Sequence, residues 1–166
     1  SQNNAFRAVN RAWGAGGTVR SLPGPPQGDD PDSGGLFVIS GLSGSAAENL
    51  VGDLGLRAKG AQNTGQPLDP PKIGLFRPWQ ASMDEGWTRW LLERYGFDPV
   101  SLRNADIKAG SLIDRLDVII LADYGARTIL DGYREGTIRP DYVGGIGPEG
   151  VRALTEFVES GGTLLC

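Results

Sequence analysis

From Lys72 onward the chain alternates short apolar runs with helix-length amphipathic ones, and this alternation restricts the fold more than any other feature. "IGLF" reads as a strand, and Met83 to Tyr95 as a helix closed by Gly96. "PVSLR" reads as a second strand and "DVIILAD" as a third, apolar enough to be buried on both faces. "GPEGVRALTEFVESGG" is then a helix, with Pro148 in its first turn and Gly161 past its end, and "TLLC" opens a fourth strand. Strands separated by helices make βαβ units, because parallel neighbours need a crossover connection. The expected class is α/β, a parallel sheet with helices on both faces. In this reading "TLLC" lies in a central strand. The expectation is therefore that the native protein continues past Cys166, that these 166 residues are a fragment of it, and that Cys166 is a buried core thiol.

Upstream, "AFRAVNRAW" places Phe6, Val9 and Trp13 at helical spacing and "GAGG" stops the helix. "TVRSL" and "LFVIS" read as strands separated by "PGPPQGDDPDSGG", an exposed loop by composition. "SAAENLVGDLGL" is a helix with Ala46, Ala47, Leu50, Val51 and Leu54 along one side. A polar, proline-containing linker over residues 61 to 71 then divides a small α/β unit, residues 1–66, from the larger domain, residues 72–166.

The residue inventory excludes much chemistry. There is no histidine and one cysteine, so a Cys-His or Ser-His-Asp triad is not available within these residues, nor are the usual zinc ligand sets. A net charge of -4 does not suit a general nucleic-acid binder. No run has the length of a membrane span, so neither nucleic acid nor membrane is an expected partner.

In open parallel sheets ligands bind beyond the carboxyl ends of the strands. That rule selects Arg77 and Trp79 after the first strand, and Asp123 and Tyr124 after the third. Asp84 and Glu85, in the first turn of the following helix, face the same crevice if the loop is short. "SMDE" also has the form of a capping box, with Ser82 and Glu85 satisfying opposed backbone N–H groups, and this is the preferred reading of the two acids. Trp87, Trp90 and Leu91 are expected to pack on the sheet. For Arg77, ligand recognition and a buried ion pair with Asp84 or Asp123 both stay open. Residues 124–146 form a connection long enough to be a lid or a docking element, and docking is preferred.

"FRPWQASMDEGWTRWLLERYGF", "DVIILAD", "YVGGIGPEGVRALTEFVESGGTLLC" and "NNAFRAVNR" together resemble the C-terminal region of large secreted bacterial proteins of the zinc carboxypeptidase (carboxypeptidase A-like) family. The resemblance implies a class I glutamine amidotransferase-like, flavodoxin-like domain following a peptidase domain. It implies secreted or periplasmic location, and zinc held only by the peptidase domain of the parent. The family's H-x-x-E zinc motif does not occur here, nor does the amidotransferase Cys-His-Glu triad with its elbow. Resemblance and missing motifs together imply a non-catalytic accessory module without a cofactor of its own, docking on the peptidase domain or helping to position a peptide or small-molecule substrate. The alternative is an independent hydrolase or transferase using Asp84, Glu85 and Asp123, with Arg77 holding an anionic substrate. A small-molecule or sugar sensor built on Trp79 and Tyr124 is a third option.

Overall fold

A computed structural model of the protein describes residues 3–22 and 35–166. Of the expected loop over residues 23–35, residues 23–34 lie outside the described residues. Packing divides the chain into two compact units, Ser1–Pro70 and Pro71–Cys166.

The first unit begins with helix α1, Asn3–Gly14, followed by strands β1, Thr18–Leu22, and β2, Leu36–Ser40. Helix α2, Gly44–Leu54, starts on Ser43, whose hydroxyl accepts from the Ala46 N–H, and ends on Gly55 in the left-handed conformation. Strand β3, Gln66–Leu68, completes an antiparallel sheet ordered β2-β1-β3. This corrects the linker expected over 61–71: part of it pairs with β1, Val19 opposite Leu68. Its prolines conceal the strand because β3 is an edge, where a missing N–H is tolerated. Val9, Ala12 and Val19 form the core, with Trp13, Phe37, Ile39, Leu42 and Leu68 packed on it. Phe6 stays half-exposed, its ring edge-on to Phe37 at 5.8 Å.

The second unit runs β4 (Ile73–Phe76), α3 (Met83–Arg94), β5 (Val100–Leu102), α4 (Asn104–Lys108), β6 (Val118–Ile120), α5 (Ala126–Leu130), α6 (Gly147–Glu159) and β7 (Thr163–Leu165). A short 3₁₀ turn, Pro140–Tyr142, lies between α5 and α6. The four strands are all parallel and ordered β5-β4-β6-β7. Numbered within the unit this is 2-1-3-4, the flavodoxin-like order, with its switch point between β4 and β6. The chain crosses from β4 to β5 in one direction and from β6 to β7 in the other. Right-handed crossovers therefore set α3 on one face of the sheet and α6 on the opposite one.

The main core lies on the α6 face. Phe76, Leu102, Ile107, Leu116, Ile119, Ile146, Leu154 and Phe157 are buried together there. Gly74 has to be glycine for space: a Cβ would come within 2.5 Å of Leu102 Cδ1 and 2.9 Å of Leu116 Cδ1. Within these 166 residues β7 lies beside β6 at one side of the sheet, and Cys166, expected as a buried thiol, is exposed.

The other face is less well covered by apolar side chains. Along α3 the shielded residues are Glu85, Thr88, Arg89 and Leu92, at i, i+3, i+4 and i+7. Trp87, Trp90 and Leu91, expected against the sheet, are 60%, 51% and 50% exposed. They share one side of the helix as their spacing requires, but it is the outer side. The buried stripe is the one that carries the Glu85–Arg89 ion pair, and the aromatics point outward.

A candidate recognition rim at the strand ends

The loop after β4 and the start of α4 after β5 meet at the carboxyl end of the sheet. Backbone pairing continues past the strands, with the Arg77 N–H donating to the Leu102 carbonyl at 2.8 Å. Pro78 is buried, while Arg77 and Trp79 project outward. Arg103 organises this corner. Its Nη1 donates to the Arg77 and Pro78 carbonyls at 2.8 and 3.2 Å. Its guanidinium also lies 4.1 Å above the Trp79 ring. On Trp79 stacks Tyr142 from the 3₁₀ turn, at 4.4 Å and 45°, and Arg139 stands 5.5 Å over Tyr142. Cations and rings thus alternate along the rim, each guanidinium set on the electron-rich face of a ring. Burial and then the neighbouring Arg77 lower the Arg103 pKa, against Glu85, Asp106 and Tyr124. Arg103 still remains a cation at any ordinary pH.

Ser82 caps α3, its hydroxyl accepting from the Asp84 and Glu85 N–H groups at 3.1 and 3.4 Å. The expected capping box is half realised, for the Glu85 carboxylate turns along the helix. It accepts from Arg89 Nη2 at 2.6 Å and Nε at 2.9 Å, a charge-assisted i,i+4 pair on a carboxylate only 8% exposed. Arg89 Nη2 also donates to Ser101 Oγ at 3.0 Å, tying α3 to β5. Asp84 and Asp123 are both exposed. Among the described residues Arg77 forms an ion pair with neither, so the buried Arg–carboxylate pair falls to Arg89 and Glu85 instead.

Tyr124 is half-buried, packed on the core and edge-on to Phe76 at 6.0 Å. Burial raises its pKa, and the Glu85 charge adds to this. A hydrogen bond with Ser82 and the Arg77 and Arg103 charges pull the other way. That shared influence puts Arg77, Glu85, Arg103 and Tyr124 in one electrostatic neighbourhood.

Residues 124–146 are an ordered strap rather than a bare loop. They hold α5, the 3₁₀ turn and bridges from Tyr133 to Val143 and Gly144. Gly132, with φ of 61°, lets the strap close, because a Cβ there would run into the Gly144 backbone. Asn104, buried at the start of α4, donates through Nδ2 to the Gly144 carbonyl at 2.8 Å and holds the strap down. Sequence reasoning misses Arg103, Asn104 and Tyr142. The strand-end rule that selects Arg77 and Asp123 applies equally after "PVSLR" and would find Arg103 and Asn104. Tyr142 reaches the rim only through the fold of the strap.

Among the described residues no three His, Cys, Asp or Glu side chains group as a metal site, and no helix is long and apolar enough to cross a membrane. No family model, curated protein or solved structure matches the chain.

Proposed function

We propose that this chain is a non-catalytic recognition module, a class I glutamine amidotransferase-like accessory domain of a secreted or periplasmic zinc carboxypeptidase-like protein. It docks on the peptidase domain of that protein, which alone holds zinc, and helps to position the peptide substrate. The observation that carries this reading is the outward face of α3. Met83, Trp87, Trp90 and Leu91 are all at least half-exposed, and the two indoles stand edge to face at 5.9 Å. Apolar surface gathered on one helix face in this way is characteristic of protein contact sites. The rim chemistry supports the same reading. Glu85 is neutralised by Arg89, and Arg103 is committed to backbone carbonyls and a ring. A general base needs a carboxylate free to reach the proton it abstracts, and the Glu85 carboxylate is already engaged by Arg89.

The enzyme alternative is tested by turnover. The 166-residue chain is assayed against peptide, ester and amide substrates, alone and with Asp84→Asn or Asp123→Asn. The expected result is no turnover above background in any of the three. Hydrolysis by the unaltered chain that either substitution abolishes would replace the module reading with the carboxylate enzyme.

A further inference from the structure

The antiparallel sheet of the first unit, ordered β2-β1-β3, has two outer strands, and they differ in how they are protected. β3 is blunted by its length of three residues and by Pro67. β2 is not. "LFVIS" runs for five residues between Gly35 and Gly41 with no charge and no proline. Its register with β1 is unbroken from Leu36 to Ser40, so no bulge turns it aside. Among the described residues it pairs with β1 alone. The register also assigns its open backbone groups. Pro67, opposite Arg20, has no N–H, so that pair cannot exchange both of its bonds. The bonds to β3 therefore fall to Val19 and Ser21, and Arg20 turns to β2 and exchanges with Val38. Phe37 and Ile39 are left with N–H and C=O directed away from the sheet. Beside them the surface is apolar: Leu36 is half-exposed, and so is Phe6, the ring of α1 that meets Phe37 edge-on.

We propose that β2 is a self-association edge, which takes β2 of a second copy antiparallel about Val38. The strand is self-complementary in that register. With Val38 opposite its own counterpart, Phe37 stands opposite Ile39 of the second copy and Ile39 opposite Phe37, and each of these pairs exchanges both of its backbone bonds. The two-fold axis is normal to the sheet, so the faces are kept. Phe37 and Ile39, which pack on the core, stay on the α1 side in both copies, and an aromatic/β-branched pair forms on each side of the axis. The two sheets become one, and the exposed Phe6 rings come together over the seam. Charge selects the occupant. A second copy sets every charge at the seam against a like one, which opposes strand pairing. β2 has none, and the side of α1 that begins at Phe6 continues at helical spacing through Asn10 and Trp13, also uncharged. An extended peptide offers the same backbone groups, but only a second copy makes use of the symmetry about Val38. This surface belongs to the first unit and goes beyond the docking reading, which rests on α3.

Sedimentation equilibrium of the 166-residue chain over a range of concentrations tests the proposal, with Leu36→Lys as the edge variant and circular dichroism to check that both are folded. The expected result is a monomer–dimer equilibrium. Its dissociation constant should rise at least about tenfold in Leu36→Lys, because pairing must then desolvate a lysine on each copy. Cross-linking reads the register. Cys166 is the one cysteine, so Cys166→Ser gives a background free of thiols. In it, Val38→Cys sets two thiols across the axis at a separation that a disulfide spans, and mild oxidation should join two chains. Ser40→Cys, opposite Leu36 of the second copy, should not join them. A folded chain that stays monomeric at every concentration would overturn the proposal, even if it bound an added extended peptide. So would a dimer indifferent to Leu36→Lys, or one that Ser40→Cys links and Val38→Cys does not.

Discussion

Glu85 and Tyr124 show how single residues at the rim are tuned by what surrounds them. Glu85→Gln leaves the Arg89 guanidinium beside a neutral amide in a shielded position, and breaking such a pair is costly for the partner left behind. The substitution should lower stability by roughly 1–3 kcal/mol, because Arg89 keeps Ser101 and some solvent. Urea denaturation of the two proteins measures it. Tyr124 makes a prediction about pH. Its folded pKa lies above the unfolded value, so the folded chain holds the phenol proton more firmly. Its contribution is complete below the unfolded value and declines as pH rises through the folded one. In a titration of phenolate absorbance, Tyr124→Phe should remove a step lying above the ordinary tyrosine value. Removal of a step at or below that value would mean that burial does not govern this phenol. Gly74→Ala forces a methyl group against Leu102 and Leu116 in the main core and should cost about 1–3 kcal/mol by the same denaturation measurement.

At the scale of elements, α3 departs most from its sequence pattern. Apolar residues at helical spacing usually mark the buried side, which is why Trp87, Trp90 and Leu91 read as core. Here the sheet-facing stripe is instead Glu85, Thr88, Arg89 and Leu92, and no periodicity rule recognises an ion pair as a packing element. Substitution separates the two orientations. If α3 sits as described, Trp90→Gln and Leu91→Gln change stability by no more than about 0.5 kcal/mol each, as exposed positions do. A helix turned the other way would lose roughly 2–5 kcal/mol at each, the cost of emptying a core site. The strands are more legible. "IGLF", "DVIILAD" and "TLLC" all contain strands, since short apolar runs between turn residues have few other uses. β3 is hidden by its prolines and α4 by its length of five residues, too short to show a period.

For the whole molecule, the α/β class and the parallel sheet are readable because alternation fixes connectivity and handedness fixes the faces. The candidate site is readable only in part. Strand-end logic reaches Arg77, Trp79 and Tyr124, but it also selects Asp84 and Asp123, which stay in solvent. Which acid is clamped, and which ring an arginine covers, depends on side-chain packing across elements distant in sequence: Arg103 lies 24 positions from Trp79 yet stacks on it. The resulting surface combines an aromatic face on α3 with a rim where Glu85 is paired with Arg89 and Arg103 is stacked on Trp79, while Arg77, Asp84 and Asp123 stand exposed. The most direct test is calorimetric titration of the 166-residue chain against a separately produced peptidase domain of the proposed zinc carboxypeptidase-like parent, repeated with Trp87→Ala and Trp90→Ala. The account predicts saturable association, weakened roughly tenfold or more by each substitution, as for an aromatic anchor at an interface. No heat of association, or an affinity indifferent to both tryptophans, would contradict it.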